Sequence, residues 1–430
     1  MIAILHKDLP EFDGVSFDTR TLQPGNLYFA ILGESKDGHD FIDDARRKGA
    51  AGVVVSKSVS TTVPVIEVED TTIALGELGK VWRDQFDIPL VALTGSNGKT
   101  TTKNMISAIF AEAGLNPLAT EGNLNNQWGV PLMLSRLTHE NKSAVIEMGM
   151  NHFDEIRYLT HLAKPTIALI TNAGPSHLEG VGGTVKGVAQ AKGEIFEGLA
   201  LNGTAVINAD DKFADMWEKL AGSRKIITFG LQNSSDVHGE VVKGGFILKV
   251  GDKSITIKLG LLGKHNIMNA LAASAVCVAN NIKLETIKSG LEKMNPEHGR
   301  MESKEGLNGA KVIDDTYNAN PLSFRAAIES ISHEKCKKIL ALGDMRELGE
   351  QGPELHRECG KLAKDAGIDI LFATGELMKN TVESFGENAQ HFVTHADLIA
   401  ALKPLLTKDV LVLVKGSRSM KMELVVDAIT

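Results

Sequence analysis

Cysteine is scarce. Cys277, Cys336 and Cys359 are the only three in 430 residues, they lie far apart, and none sits in a CxxC spacing. That argues against a disulfide framework or a zinc site and for a reducing compartment. No run approaches the roughly 18 apolar residues that a membrane span needs. The first residues, MIAILHKDLPEFDG, lack a basic start, a long apolar stretch and a small-residue cleavage site. A soluble, cytoplasmic chain acting without a membrane is therefore expected. Basic residues are not in excess, with 46 against 54 acidic and a net charge of −8. Nothing in that balance calls for a nucleic-acid partner. Low-complexity segments and short-period repeats are missing, and so is any Ser-His-Asp or Cys-His arrangement. What remains is ordinary globular composition, 43% hydrophobic and 23% charged. The length suits three domains of roughly 150 residues each.

Texture divides the chain into 1–86, 87–302 and 303–430. The first segment holds short strand-like runs, NLYFAIL and AGVVVS, between Gly, Asp and Pro turns, and leaves through a helix in TIALGELGKVWRDQF. From Pro89 strands alternate with helices. PLVALTG, SAVIEMG, PTIALITN and TAVINAD read as buried parallel strands, with helix-like stretches at 153–163 and 184–200. TTKNMISAIFAEAG places Met105, Ile106, Ile109, Phe110 and Ala113 on one helical face, with Gly114 as the stop. FILKV and KSITIKL predict an appended antiparallel hairpin. After the turn-rich NPEHGRME the alternation resumes in KVIDD, KKILALGD, IDILFATG and DVLVLVKGS. The fold class expected is α/β. A central P-loop-type parallel sheet carries helices on both faces, beside a smaller α/β N-terminal domain and a Rossmann-like C-terminal domain.

VALTGSNGKTT is the strongest local signal. A strand enters a turn of Gly95, Ser96, Asn97 and Gly98, followed by Lys99, Thr100, Thr101 and a helix. Glycine lets backbone N–H groups close around a phosphate, and the helix N-terminus adds partial positive charge. Lys99 is suited to the outer phosphates and the Thr100 hydroxyl to Mg²⁺. Two residues separate the glycines, where the common P-loop has four.

Other positions are less specific by themselves. Glu147 ends a strand and can face a ligand crevice or merely solvent. His177 follows a strand, and a lone histidine is more often structural. Lys192 alone would be a surface lysine, and Asn123 a turn residue. Asn266 and Asn269 share a helical face beside His265, suited to a purine or ribose. Arg20 can pair with a phosphate or with a neighbouring acid.

TGSNGKTTT together with GKHNIMNALAA resembles the Mur ligase family and its relative folylpolyglutamate synthase. Motif-bearing segments of the resemblance fall in order along essentially the whole chain. It implies an ATP-dependent, amide-forming ligase working through an acyl phosphate. Thr100 and Glu147 lie near one Mg²⁺, and His177 with Lys192 near another, Lys192 being a candidate for carbamylation. Asn123 lines the substrate channel, Arg300 brings positive charge to the ATP phosphates, and Asp315 is a hinge-side acid. Ser16, Asp18, Thr19 and Arg20 resemble the uridine-diphosphate-binding part of members that act on longer peptides. Asn318 and Asn320, in DDTYNANP, with LGDMRELG and VKGSRSM, point to D-alanyl-D-alanine as the amine and UDP-N-acetylmuramoyl-tripeptide as the carboxylate. The chain is expected to act as a monomer. Members adding a single amino acid are the rival within the class. A phosphotransferase and an ATP-gated binding module are the rivals outside it.

Overall fold

The computed structural model describes residues 10–33, 35–261, 263–295 and 297–430. Residues 1–9 of the N-terminal segment and Pro296 of the NPEHGRME turn lie outside them. Three sheets follow one another along the chain. The first has four parallel strands in sequence order: β1 (Gly14–Ser16), β2 (Asn26–Phe29), β3 (Gly52–Val55) and β4 (Val65–Glu67). The exit helix Thr71–Arg83 starts at Asp70, whose side chain accepts from the Thr72 and Ile73 backbone N–H groups.

The central sheet has nine strands: β5 (Leu90–Thr94), β6 (Pro117–Ala119), β7 (Ser143–Glu147), β8 (Ile167–Ile170), β9 (Thr204–Asn208), β10 (Lys225–Gly230), β11 (Val237–Val242), β12 (Gly245–Val250) and β13 (Lys253–Lys258). Their order is β13-β12-β11-β10-β9-β8-β5-β7-β6. Pairing is parallel from β6 to β11 and antiparallel at β12 and β13. Side-chain alternation along β5 explains why both faces are covered. Leu90 and Ala92 pack with Ile156, Leu159 and Trp217 of helices on one face. Val91 and Leu93 pack with Ile106, Phe110 and Leu271 of helices on the other. The expected hairpin is present as β12 and β13, with β11 as a third member.

Two local expectations need correction. Ala113 is exposed, because the helix Lys99–Glu112 ends one residue earlier and Ala113 is its cap. The helix expected over 184–200 runs only from Val185 to Gly193, tightens into a 3₁₀ turn at Glu194–Phe196 and then stops.

The third sheet comprises β14 (Glu302–Glu305), β15 (Lys311–Asp315), β16 (Lys337–Gly343), β17 (Ile370–Thr374), β18 (Ala389–Phe392) and β19 (Val410–Lys415). The order is β14-β15-β19-β16-β17-β18, with only β14 antiparallel. It too is cored on both faces. Among the described residues no helix is long and apolar enough to cross a membrane.

Candidate active site

One cavity of about 1260 Å³ is walled by residues attached to all three sheets. The loop after β5 forms its floor, at the C-terminal edge of the parallel strands where α/β sheets bind ligands. Gly98 takes φ +79°, and a Cβ there would stand 2.1 Å from Asn269 Oδ1. A Cβ on Gly95 would stand 1.8 Å from Thr171 Oγ1. Packing against neighbours therefore demands both glycines. Asn172 clamps the loop: its side chain accepts from the Asn97 N–H and donates to the Asn97 carbonyl, each at 3.0 Å. Ser96 is buried against Gly174 and Ser176. Lys99 folds back, donating to the Gly95 carbonyl at 2.7 Å. Burial lowers its pKa, and nearby Glu147 opposes the shift.

Glu147 is buried at the end of β7. Asn125 Nδ2 donates to its Oε1 at 2.9 Å, whereas Oε2 has no hydrogen-bond partner. A buried carboxylate oxygen left bare is costly unless something cationic meets it. Lys192 is 1% exposed, and no acceptor among the described residues bonds its amine. Burial, reinforced by Lys99, lowers its pKa far below the ordinary lysine value. His177, half-buried at φ +52°, pairs its Nδ1 with Glu347 Oε2 of the third domain at 2.8 Å. Thr100, Glu147, His177 and Lys192 all face this cavity.

The junction before the third sheet closes the opposite wall. Arg300 Nη2 donates to Thr100 Oγ1 at 3.0 Å, its guanidinium lies 3.9 Å from the Tyr317 ring centroid, and Glu297 is 3.1 Å from its Nε. Asp315 is pinned by Lys415 Nζ at 2.5 Å and by the Met301 N–H at 3.2 Å. Asn320 caps the helix Pro321–Ser332 in a box with Ser323 and donates to Asn97 Oδ1 at 2.7 Å. Asn318 is exposed on the wall, its carbonyl accepting from Lys415. His265, Asn266 and Asn269 line the cavity from the start of the helix Lys264–Ala279, with Asn269 Nδ2 donating to Asn266 Oδ1 at 3.2 Å. Burial lowers the His265 pKa, opposed by Asp315. Thr101 and the exposed Asn123 also line it.

The N-terminal residues divide. Arg20 reaches the cavity rim but is forked onto Asp18, with Nη2 2.6 Å from Oδ2. Ser16, Asp18 and Thr19 lie off the wall. Ser16 and Asp18 shape the turn through Oγ contacts at 3.0 and 3.1 Å, and Thr19 is buried under Lys48. Gly95 likewise serves the loop from beneath.

Asn125, Asn172, Glu347 and Lys415 belong to the site and escaped individual notice in the sequence. Position in the motifs NLNNQWG, ITNAGPSH, GDMRELG and VKGS was the available signal, since each directly follows or ends a strand or shares a loop with a marked residue. Another cluster, His298, Glu302 and Asp314, has metal-ligand spacing. It is already filled by Lys304, whose Nζ is 3.0 Å from Asp314 and 3.4 Å from Glu302.

Comparisons with known proteins agree along the chain. The Mur ligase middle domain matches residues 93–277, the Mur ligase glutamate ligase domain 299–418, and the Mur ligase family catalytic domain 11–83. UDP-N-acetylmuramoyl-tripeptide–D-alanyl-D-alanine ligase of Escherichia coli K12 is 40% identical over 97% of this chain and 93% of its own length. The crystal structure of MurF from Acinetobacter baumannii superposes with a TM-score of 0.90 at 33% identity, covering 96% of this chain and 92% of that one. MurF ligase from Thermotoga maritima, solved in complex with ADP, gives 0.86 at 26% identity over 98% of both chains.

Proposed function

The chain belongs to the Mur ligase family, and on that premise we infer that it joins D-alanyl-D-alanine to the terminal carboxylate of UDP-N-acetylmuramoyl-tripeptide at the expense of ATP. One observation carries the chemistry: a single cavity combines a glycine-rich loop suited to phosphates, a buried carboxylate with a bare oxygen and a buried lysine whose amine has no hydrogen-bond partner among the described residues.

A carboxylate does not condense with an amine at neutral pH until one of its oxygens becomes a good leaving group. The γ-phosphoryl of ATP moves to the tripeptide carboxylate, giving an acyl phosphate and ADP. The amine, once it has lost a proton to become the free base, attacks the acyl carbon; phosphate departs with one of the former carboxylate oxygens, and the nitrogen's second proton is lost as the amide forms. Lys99 and Arg300 offset the repulsion between two anions and hold the transferring group, while Gly95, Ser96, Asn97, Gly98 and Thr101 shape its cradle. His265, Asn266 and Asn269 take the nucleoside end. Arg20 meets the uridine diphosphate after leaving Asp18. Ser16, Asp18 and Thr19 hold the turn that presents it. Asn123 borders the channel, Asn318 and Asn320 the amine side, and Asp315 the hinge.

The donor set fits Mg²⁺. Thr100 and Glu147 offer hard oxygens, and the orphaned Oε2 is the observation that favours a cation there. His177, released from Glu347, and Lys192 would hold a second. An ammonium does not fit a metal, but burial favours the neutral amine at Lys192, the form that combines with CO₂ to give a carbamate. Mg²⁺ held by these residues would neutralise charge on the phosphates and the carboxylate.

The segments divide the work, 1–86 for the UDP-muramoyl peptide, 87–302 for ATP, and 303–430 for the amine and closure over the acyl phosphate. A cytoplasmic monomer suffices for these substrates. Tripeptide labelled with ¹⁸O in its terminal carboxylate tests the route. One label should appear in the released phosphate, and its absence there contradicts an acyl phosphate.

A further inference from the structure

Five carboxylates wall the cavity: Glu147, Glu155, Glu297, Asp315 and Glu347. Four are committed. Glu147 holds Asn125 and sits close enough to Lys99 to shift it. Glu155 accepts from the backbone of Asn151 at 2.6 Å and His152 at 3.2 Å. Glu297 accepts from Asn104 at 3.0 Å and faces Arg300. Asp315 is fixed by Lys415 and Met301. Glu347 differs: its side chain is 62% exposed, and His177 is its one partner among the described residues.

The pair is held in an unusual backbone setting. Glu347 takes φ +64° and His177 φ +52°, left-handed conformations that cost non-glycine residues of order 1 kcal/mol each and persist where surroundings enforce them. The same two loops also touch where Gln351 Nε2 donates to the Gly183 carbonyl at 2.9 Å. These loops follow β8 and β16, so the C-terminal ends of two parallel sheets face each other across the seam.

We propose that Glu347 receives the positively charged amine of the incoming substrate, exchanging His177 for it. The inference rests on the ligase reading above. A cationic amine must enter beside Lys99 and Arg300, and needs a carboxylate that can turn toward it without dismantling the site. Glu347 can do so by releasing a histidine, and it lies on the third-domain side of the reacting centre. Its departure also frees His177 for the position assigned to it above.

Glu347→Gln keeps size and backbone and removes the charge. With D-alanyl-D-alanine its KM should rise about tenfold to a hundredfold, the range for losing a hydrogen bond to a charged group. Hydroxylamine, uncharged at neutral pH, traps the acyl phosphate as a hydroxamate without bringing a cation. The loss in kcat/KM for D-alanyl-D-alanine should exceed the loss for hydroxylamine at least about tenfold. Glu347→Asp, which keeps the charge, should recover part of that difference. Equal losses for both nucleophiles, or an unchanged KM for D-alanyl-D-alanine, overturn the assignment and leave the ligase reading intact. A wild-type chain that releases ADP equally without D-alanyl-D-alanine overturns both.

Discussion

Arg300 Nη2 lies 3.0 Å from the Thr100 hydroxyl, so a residue at the junction before the third sheet touches the first turn of the phosphate-loop helix. Tyr317 backs that contact from the third domain. The geometry couples the position of the third domain to the glycine-rich loop after β5.

Replacing Arg300 with Lys keeps the charge and loses the planar fork and the stack. kcat/KM for ATP should fall about tenfold or more. Tyr317→Phe should stay near wild type, whereas Tyr317→Ala should lose about 0.5–2 kcal/mol of transition-state stabilisation, the worth of a cation–π contact. Steady-state kinetics on the three variants checks this. Equal behaviour of the Phe and Ala variants would contradict it.

Gly98→Ala forces a side chain into a left-handed position against Asn269. The strain should cost about 1–3 kcal/mol and weaken ATP binding about tenfold or more. Calorimetric titration with ATP and thermal unfolding read the two effects separately.

Lys192→Ala should abolish turnover while the chain remains folded, and short carboxylic acids should partly restore it by supplying the missing anion. A fully active variant rules the role out. A mass increase of a carbamate on Lys192 in native mass spectrometry would support the modification directly.

Acid should loosen the N-terminal domain through Asp37. Its carboxyl accepts from Lys57 Nζ at 2.6 Å, the His39 N–H at 2.9 Å and the His39 ring, which hold it well below the usual carboxylate range. The folded-state pKa lies below the unfolded one, so the stabilisation is complete above about pH 4 and declines as pH falls through the folded value. Asp37→Asn should cost about 1 kcal/mol at neutral pH. The gap to wild type should narrow below about pH 4, as urea unfolding at several pH values would show. A constant gap would contradict the mechanism.

The strand–glycine turn–helix at Gly95–Gly98 was legible because its glycines are dictated locally, by backbone shape and close approach. The strand alternation around Leu90–Thr94 was legible because burial on two faces makes continuous apolar runs. The partners were not. Asn125 meets Glu147 only after a loop from another strand folds over the sheet edge. Glu347 meets His177, and Asn320 meets Asn97, only once separate domains are placed together. Arg20 shows the converse limit: the sequence offers a phosphate or a neighbouring acid as its partner, and in the structure Asp18, two residues away, occupies its fork.

ADP release by the purified chain with Mg²⁺ and ATP, across a matrix of carboxylate and amine substrates, tests the central claim most directly. The expected result is release that requires both UDP-N-acetylmuramoyl-tripeptide and D-alanyl-D-alanine. Release with a folate and glutamate, or from no pair at all, would contradict it.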